Sequence, residues 1–368
     1  MSHWYTIKNI DTLDTPSLVV YPERVKANIE KAVFMIGDVN RLRPHIKTHK
    51  SKHVAQMMRD VGIEKFKCAT IAETEMLGRV GAKDVVLAYQ IIGPKLARFV
   101  AVIRAFPNTQ YACLVDNMAT AQKQSDYFDS QNLKVPVYID LNMGFNRTGI
   151  APEKALELYV FCLNLTGIDL KGLHAYDGHI RYQNIDERTA ICDAAYLKVE
   201  DLKQQIERRG MPAPLIIAGG SPTFPIHLQR PVVDCSPGTF IYWDKGYGDL
   251  CAEQDFLHAA LLITRVISLP DATKLCLDLG HKSVAAENEL AKRVFFLNAP
   301  ELMPIGQSEE HLVMEAGVGH GYKVGDILYG LPYHICPTVA LYERVFTVKK
   351  GVLKGEWRNI ARDRRLKY

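Results

Sequence analysis

From Ser17 to about Pro237, short β-rich runs alternate with longer stretches whose apolar residues recur at helical spacing. The run SLVV (17–20) is followed by a helical pattern starting near Pro22, in which Val25, Ile29 and Val33 share a face. The cycle then repeats through RLRPHIK (41–47), KFKCAT (65–70), DVVLAY (84–89), QYACLVD (110–116), VPVYIDLN (135–142), DLKGLHAY (169–176), PLIIAG (214–219) and PVVDC (231–235). Helical patterns fill most gaps, EKALELYVFCLNL and ERTAICDAAYLKVEDLKQQIERRG being the clearest. The last gap, SPTFPIHLQR, has room only for a very short helix. Eight strands joined by helices predict a parallel sheet covered on both faces, either closed or open and doubly wound. The count of eight and the absence of G-x-G-x-x-G after the first strand favour an α/β fold with a TIM-type (β/α)8 barrel over 16–250.

Past residue 250 the rhythm changes. FLHAALLITRVISL, TKLCLDLG, KRVFFLN, EEHLVMEA, GDILYGLPYHICPTVALY and ERVFTVKKGVL are strand-like, with few helical patterns between them. This predicts a β-rich domain made of 251–368 together with 1–15, whose WYTIKN segment is expected to pair with it. A chain of 368 residues suits one large and one smaller domain.

Composition narrows the classes. Hydrophobic residues make up 48% and charged residues 23%, as in an ordered globular chain. The formal charge, +4, is too small to predict a nucleic-acid or membrane partner. The longest apolar stretch is broken by His258 and Arg265, and the N-terminus has no apolar core of a secretory signal. None of the eight cysteines forms a C-x-x-C pair, and most sit in apolar runs. Reduced thiols in a cytoplasmic protein are expected.

Candidate chemistry begins with RLRPHIKTHKSKH (41–53). Its bland reading is a solvated basic edge or nucleic-acid patch. On a strand, however, Arg41, Arg43, His45 and Lys47 point one way, and a barrel's first strand has no solvated face. A lysine at such a strand's carboxyl end lies at the mouth, where barrel enzymes work. With Arg43, His45 and His49 nearby, Lys47 fits a Schiff-base lysine. At the far end of the strand order, Gly219, Gly220 and Ser221 precede Pro222, and Gly238-Thr239 follow strand eight. These loops are either ordinary turns or a phosphate cradle of backbone N–H groups. Strands one and eight are neighbours in a closed barrel, and a reactive lysine beside a phosphate cradle is what pyridoxal phosphate requires.

Two further loops open at the same mouth. Arg147, in GFNRTGI, is either a loop arginine or a ligand of the pyridine ring or its phenolic oxygen. Tyr176 is a similar case, with His174, Asp177 and His179 close by. In the C-terminal region, LPYHICPT places His334 and Cys336 at i and i+2, on one face of an extended segment. Imidazole plus thiolate suits Zn²⁺, in an open site.

Together these residues resemble the pyridoxal-phosphate enzymes of the alanine racemase-like barrel fold, specifically the D-serine dehydratase/D-threonine aldolase branch. PHIKTHK, NRTGI and HIC carry the resemblance, which spans essentially the whole chain. It implies Lys47 as the Schiff-base residue, His334 and Cys336 as metal ligands, and His45, Arg147, His174, Tyr176 and the glycine loops around the cofactor. It also implies a homodimer. In this branch aldolases look more typically H-x-D and dehydratases H-x-C, so Cys336 points to a zinc-dependent dehydratase, with Mn²⁺ or Mg²⁺ as other metals. The expected reaction is β-elimination from a D-3-hydroxy amino acid, such as D-serine or D-threo-3-hydroxyaspartate, to a 2-oxo acid and ammonia. Retro-aldol cleavage to glycine and an aldehyde is the alternative. A racemase, which would need a second base such as Tyr329 or Tyr333, ranks third. The non-enzyme rival binds nucleic acid through 41–53.

Overall fold

The computed structural model describes residues 3–368. Strand β1 (Ser17–Val20) leads into α1 (Pro22–Ile36). There follow α2 (Lys52–Arg59), β2 (Lys65–Cys68), α3 (Ile71–Arg79), β3 (Asp84–Leu87), α4 (Pro94–Ala105), β4 (Gln110–Val115) and α5 (Met118–Ser130). The alternation continues with β5 (Val135–Asp140), α6 (Ala155–Leu163), β6 (Ile168–Ala175), α7 (Ile185–Arg208), β7 (Leu215–Ala218), α8 (Phe224–His227) and β8 (Val233–Cys235). After α9 (Lys245–Leu250) come β9 (Ala260–Ser268), β10 (Lys274–Leu277), β11 (Val294–Phe296), β12 (Met303–Gln307), β13 (Leu312–Glu315) and β14 (Ile327–Pro332). Helix α10 (Ile335–Leu341) precedes the final hairpin of β15 (Arg344–Lys349) and β16 (Val352–Arg358).

The chain divides into two compact units. One comprises Ala32–Lys47, Ala55–Gly238 and Asp363–Tyr368. Here β2 to β8 pair in sequence order, all parallel. Residues 42–45 lie between the two edges of this sheet, with bridges Leu42–Cys235 and His45–Lys67. The barrel therefore closes, but its first staves are not the regular strand expected over 41–47. Pro44 has no N–H to donate, so it only accepts, from Lys67 N at 2.9 Å. Tight 3-10 turns at Val39–Arg41 and Ile46–Thr48 flank this short extended piece.

Irregularity also separates the basic side chains that an ideal strand would align. Arg41 donates to the carbonyls of Leu228, Arg230 and Val233. Arg43 is 1% exposed and makes a two-pronged pair with Asp84, at 2.6 and 2.8 Å, where β3 begins. It reaches Asp234 at 3.1 Å as well. Arg43 thus serves the amino end of the barrel, not its mouth. His45, His49 and Ser51 are buried too, so 41–53 is not the solvated basic patch a nucleic-acid binder needs.

Val86, Ala112, Leu114, Tyr138 and Ile217, from β3, β4, β5 and β7, form a buried apolar cluster. Helices start directly beyond several strands because polar side chains cap them. Thr70 accepts from Glu73 N at 3.1 Å and Asn117 from Thr120 N at 2.8 Å.

The other unit comprises Met1–Lys31, Thr48–Val54 and Thr239–Arg362. Its sheet runs β12-β13-β10-β9-β1-β15-β16, with β14 pairing both β9 and β11. SLVV, part of the 16–250 stretch in the sequence reading, is this sheet's β1, antiparallel to β9 and parallel to β15. All four of its residues are buried. The WYTIKN segment contributes packing more than pairing. Tyr5 and Ile7 join the cluster of Val19, Leu261 and Tyr329, while Lys8 N donates to Gly351 O. No helix among the described residues is long and apolar enough to cross a membrane.

Candidate active site

Within the barrel unit, a cavity of about 720 Å³ opens among the carboxyl ends of the strands. His45, Lys47, Arg147, His174 and Tyr176, all singled out from sequence, line it. Lys47 sits in the 3-10 turn, and its N–H donates to His45 Nδ1 at 3.3 Å. Its ammonium lies 5.9 Å from the centre of the Tyr176 ring. Arg147 approaches the same ring at 5.3 Å and that of Phe145 at 4.4 Å. Cations within about 6 Å of an aromatic face are attracted by its quadrupole, so Tyr176 organises this cluster.

Two central members were missed in the sequence. Lys67, on β2, is 1% exposed and lies 5.2 Å from the Tyr176 ring centre. Its Nζ is 3.4 Å from His174 Nε2. Burial first, and then the neighbouring Lys47, lowers its proton affinity to a pKa of about 7. Asp140, at the end of β5, holds His174 Nδ1 at 2.7 Å and accepts from Thr148 Oγ1 at 2.8 Å. Burial raises the Asp140 pKa, but the His174 and Thr148 hydrogen bonds and the nearby Lys67 outweigh it and hold the carboxyl low. His174 is pushed down chiefly by burial. Strand alternation in KFKCAT and YIDLN carried both signals: Lys67 and Asp140 are charged residues on strands with no solvated face.

The glycine loops come together in the same unit. Gly219 adopts φ +80°, a conformation side chains resist, and Gly238 N reaches Ser221 Oγ at 3.3 Å. A Cβ on Gly220 would come within 3.1 Å of Tyr176 Cε2. The loop therefore abuts the ring that the cations surround. Ser236 Oγ is buried with no hydrogen-bond partner among the described residues. A roomy cavity, a lysine at its edge, a backbone-lined loop and an orphaned hydroxyl fit pyridoxal phosphate.

Behind the loop, Thr223 Oγ1 donates to Asp177 at 2.7 Å, and Gly220 N donates to that same hydroxyl at 3.2 Å. Asp177, Cys192 and His227 have ligand-type atoms within 4.8 Å of one another. Arg230 donates to His227 Nδ1 at 2.9 Å, leaving Nε2–H to bond Asp177 at 2.7 Å. Both ring nitrogens are thus occupied, and the trio reads as a hydrogen-bonded buttress.

In the β-rich unit, His334 stands at the N-cap position of α10 without a side-chain capping bond, and Cys336 lies in that helix's first turn, not on the extended segment expected. Pro337 can follow because a helix's first turn needs no N–H there. The side chains still meet. Burial lowers the His334 pKa, but the Cys336, Asp244 and Glu287 groups outweigh it and raise it to about 9. Glu287 holds His334 Nδ1 at 2.5 Å. Carboxylate-oriented imidazole beside a thiol is a donor set that fits a divalent ion. Thr48 and Thr239 hydroxyls lie 3.1 and 3.8 Å from Cys336 Sγ. Tyr329, one candidate racemase base, is a core residue here; its hydroxyl accepts from Ile7 N at 3.3 Å, and burial raises its pKa. The eight cysteines form no disulfide among the described residues.

Comparisons with known proteins agree with this architecture. The family model described as alanine racemase, N-terminal domain, matches residues 20–245, and a putative serine dehydratase domain matches 259–348. The chain is 26% identical over 361 residues to a D-threonine aldolase of Arthrobacter sp., covering 95% of this chain and 93% of that one. It is 23% identical to the D-threo-3-hydroxyaspartate dehydratase of Delftia sp. HT23, covering 90% and 93%. The fold matches the crystal structure of D-threonine aldolase from Filomicrobium marinum at a TM-score of 0.89, with 22% identity and 98% of each chain covered. With its barrel matched over more than half of its length, the chain belongs to the alanine racemase N-terminal domain family.

Proposed function

We propose that this chain is a pyridoxal-phosphate-dependent lyase that acts on D-3-hydroxy amino acids by β-elimination. The observation that carries the reading is the placement of Lys47 with the Asp140-oriented His174 and Arg147 around one barrel cavity, beside the glycine loop. Full-length similarity to a D-threonine aldolase and a D-threo-3-hydroxyaspartate dehydratase supports the substrate class. Solved mutants of a D-threo-3-hydroxyaspartate dehydratase replace a histidine and a cysteine two positions apart, the latter in a metal-free form. His334 and Cys336 have the same spacing.

Lys47, Gly219, Gly220, Ser221, Gly238 and Thr239 would hold the cofactor, with His45, Arg147, His174 and Tyr176 around its ring. When bound, it supplies a carbonyl for an imine with an amine and an electron sink for charge at Cα. Lys47 would also serve as the base that takes the proton from the substrate's Cα. His174 keeps a fixed ring orientation because Asp140 holds its Nδ1 proton. Arg147 carries fixed positive charge at the mouth. His334 and Cys336 would hold a divalent ion, zinc by the softness of the thiolate, which supplies Lewis acidity towards a hydroxyl. Loss of the 3-hydroxyl as water leaves an enamine that hydrolyses to a 2-oxo acid and ammonia. The homodimer belongs to this reading through the family resemblance alone.

Retro-aldol cleavage is the second reading, favoured by the Arthrobacter aldolase. Cys336 in place of the Asp more typical of aldolases is the reason for preferring elimination. Incubation with D-serine and D-threo-3-hydroxyaspartate tests the assignment: ammonia and oxo acid in equal amounts support it. Turnover of neither, with cofactor bound, rejects it.

A further inference from the structure

The last six residues, Asp363–Tyr368, return to the barrel unit after the Thr239–Arg362 segment of the β-rich unit intervenes in the chain. Two charged side chains clasp them. Glu75 on α3, fully buried, accepts from Lys367 N at 3.0 Å and Tyr368 N at 3.2 Å. Arg98 on α4 donates to Tyr368 O at 3.0 and 2.9 Å and to Arg364 O at 2.9 Å. With its carbonyl held, Arg364 lines the mouth of the barrel cavity. Among the described residues its guanidinium has no hydrogen bond or ion pair.

Lys95 also lines the cavity. It precedes Arg98 by three residues on α4, so both lie on one face of the helix. Its ammonium rests 4.1 Å over the Tyr89 ring and, among the described residues, is not ion-paired. The cavity carries Lys47, Lys67, Lys95, Arg147 and Arg364 against Asp116 and Asp140. Both acids are already engaged: Asp140 by His174 and Thr148, Asp116 by Gly149 N and Asn117. Lys47, Lys67 and Arg147 group around Tyr176. That leaves the rim pair without a counter-charge.

We infer that Arg364, with Lys95, reads a carboxylate of the substrate, and that Glu75 and Arg98 are positioning residues acting through the tail. A guanidinium presents two parallel donors that match a carboxylate. The identity of the substrate rests on the lyase reading; the anion chemistry of the rim does not. The carboxylate is either the α-carboxylate of every substrate or the side-chain carboxylate of a 3-hydroxy dicarboxylic one.

Titration of the holoenzyme with succinate, which cannot react, tests this without turnover. Arg364→Gln is expected to weaken succinate binding about tenfold, the loss of one charge-assisted pair. Arg98→Ala should do the same from outside the cavity, with cofactor absorbance and thermal midpoint unchanged. In turnover, both variants should raise KM more than they lower kcat. A rise for D-serine and D-threo-3-hydroxyaspartate alike assigns the α-carboxylate, and a rise for the second alone assigns the side chain. Succinate that ignores the wild-type protein, or binds wild type and Arg364→Gln equally, overturns the inference even if lyase turnover is intact. Loss of succinate binding in Arg364→Gln with no turnover of any D-3-hydroxy amino acid would retain the anion site and remove the lyase reading.

Discussion

Lys67 Nζ and His174 Nε2 face each other at 3.4 Å inside the barrel, while Asp140 takes the opposite ring nitrogen at 2.7 Å. The carboxylate fixes the imidazole proton on Nδ1 and turns the Nε2 lone pair towards the lysine. A buried amine, an imidazole and a carboxylate thus make one line of interacting groups on β2, β5 and β6, beside Lys47.

That line makes stability depend on pH. The Lys67 pKa falls from 10.5 to about 7 in the folded chain. Below pH 7 the amine is protonated folded or unfolded, and the full burial cost is present. Between 7 and 10.5 the unfolded chain holds a proton that the folded chain has released, so stability rises with pH. Lys67→Met removes this dependence. Urea denaturation of cofactor-free protein should show the variant's advantage shrinking from pH 6.5 to 9, by at most about 1.4 kcal/mol per unit within the window. A constant difference would refute the assignment.

Arg43 gives a contrasting outcome, because its partners lie at the opposite end of the barrel. Arg43→Ala leaves Asp84 and Asp234 uncompensated around a buried space. Unfolding free energy should fall by about 3 kcal/mol. Variants that still fold should bind pyridoxal phosphate normally. Weaker cofactor binding at unchanged stability would return Arg43 to the site.

Gly220→Val tests the cradle. Its Cβ would crowd Tyr176 at 3.1 Å. Cofactor affinity is expected to drop at least tenfold by absorbance titration, with cofactor-free stability reduced by about 1–3 kcal/mol. Equal affinity would make the loop an ordinary turn.

His334→Ala should abolish stoichiometric zinc by elemental analysis while cofactor absorbance persists. Cys336→Asp replaces a soft ligand with a hard one, so retention should move from Zn²⁺ towards Mn²⁺. Full zinc content in His334→Ala would reject the pair as ligands.

Much of this site was legible because the residues lie where the alternating pattern puts strand ends. Lys47, Arg147, His174 and Tyr176 all reach one cavity. Departures have local causes. Pro44 breaks the first strand into bridges, so period-two alternation misaligned Arg41, Arg43 and Lys47. Strand β12 escaped notice because Pro304 and Gly306 dilute its strand character and accompany a register shift. His334 and Cys336 meet across a helix start, a geometry that i, i+2 spacing does not announce. Arg364 depends on contacts some 270 residues away in the chain, between Arg98 and the C-terminal tail, which no local pattern encodes.

One measurement addresses the central claim most directly: the proton NMR spectrum of D-threonine incubated with zinc- and pyridoxal-phosphate-loaded protein. Elimination from this substrate gives 2-oxobutanoate and ammonium, whereas carbon–carbon cleavage gives glycine and acetaldehyde. The expected spectrum contains 2-oxobutanoate, and Lys47→Ala leaves D-threonine untouched. Glycine and acetaldehyde as the accumulating pair would contradict the dehydratase assignment, and full turnover by Lys47→Ala would contradict the site itself.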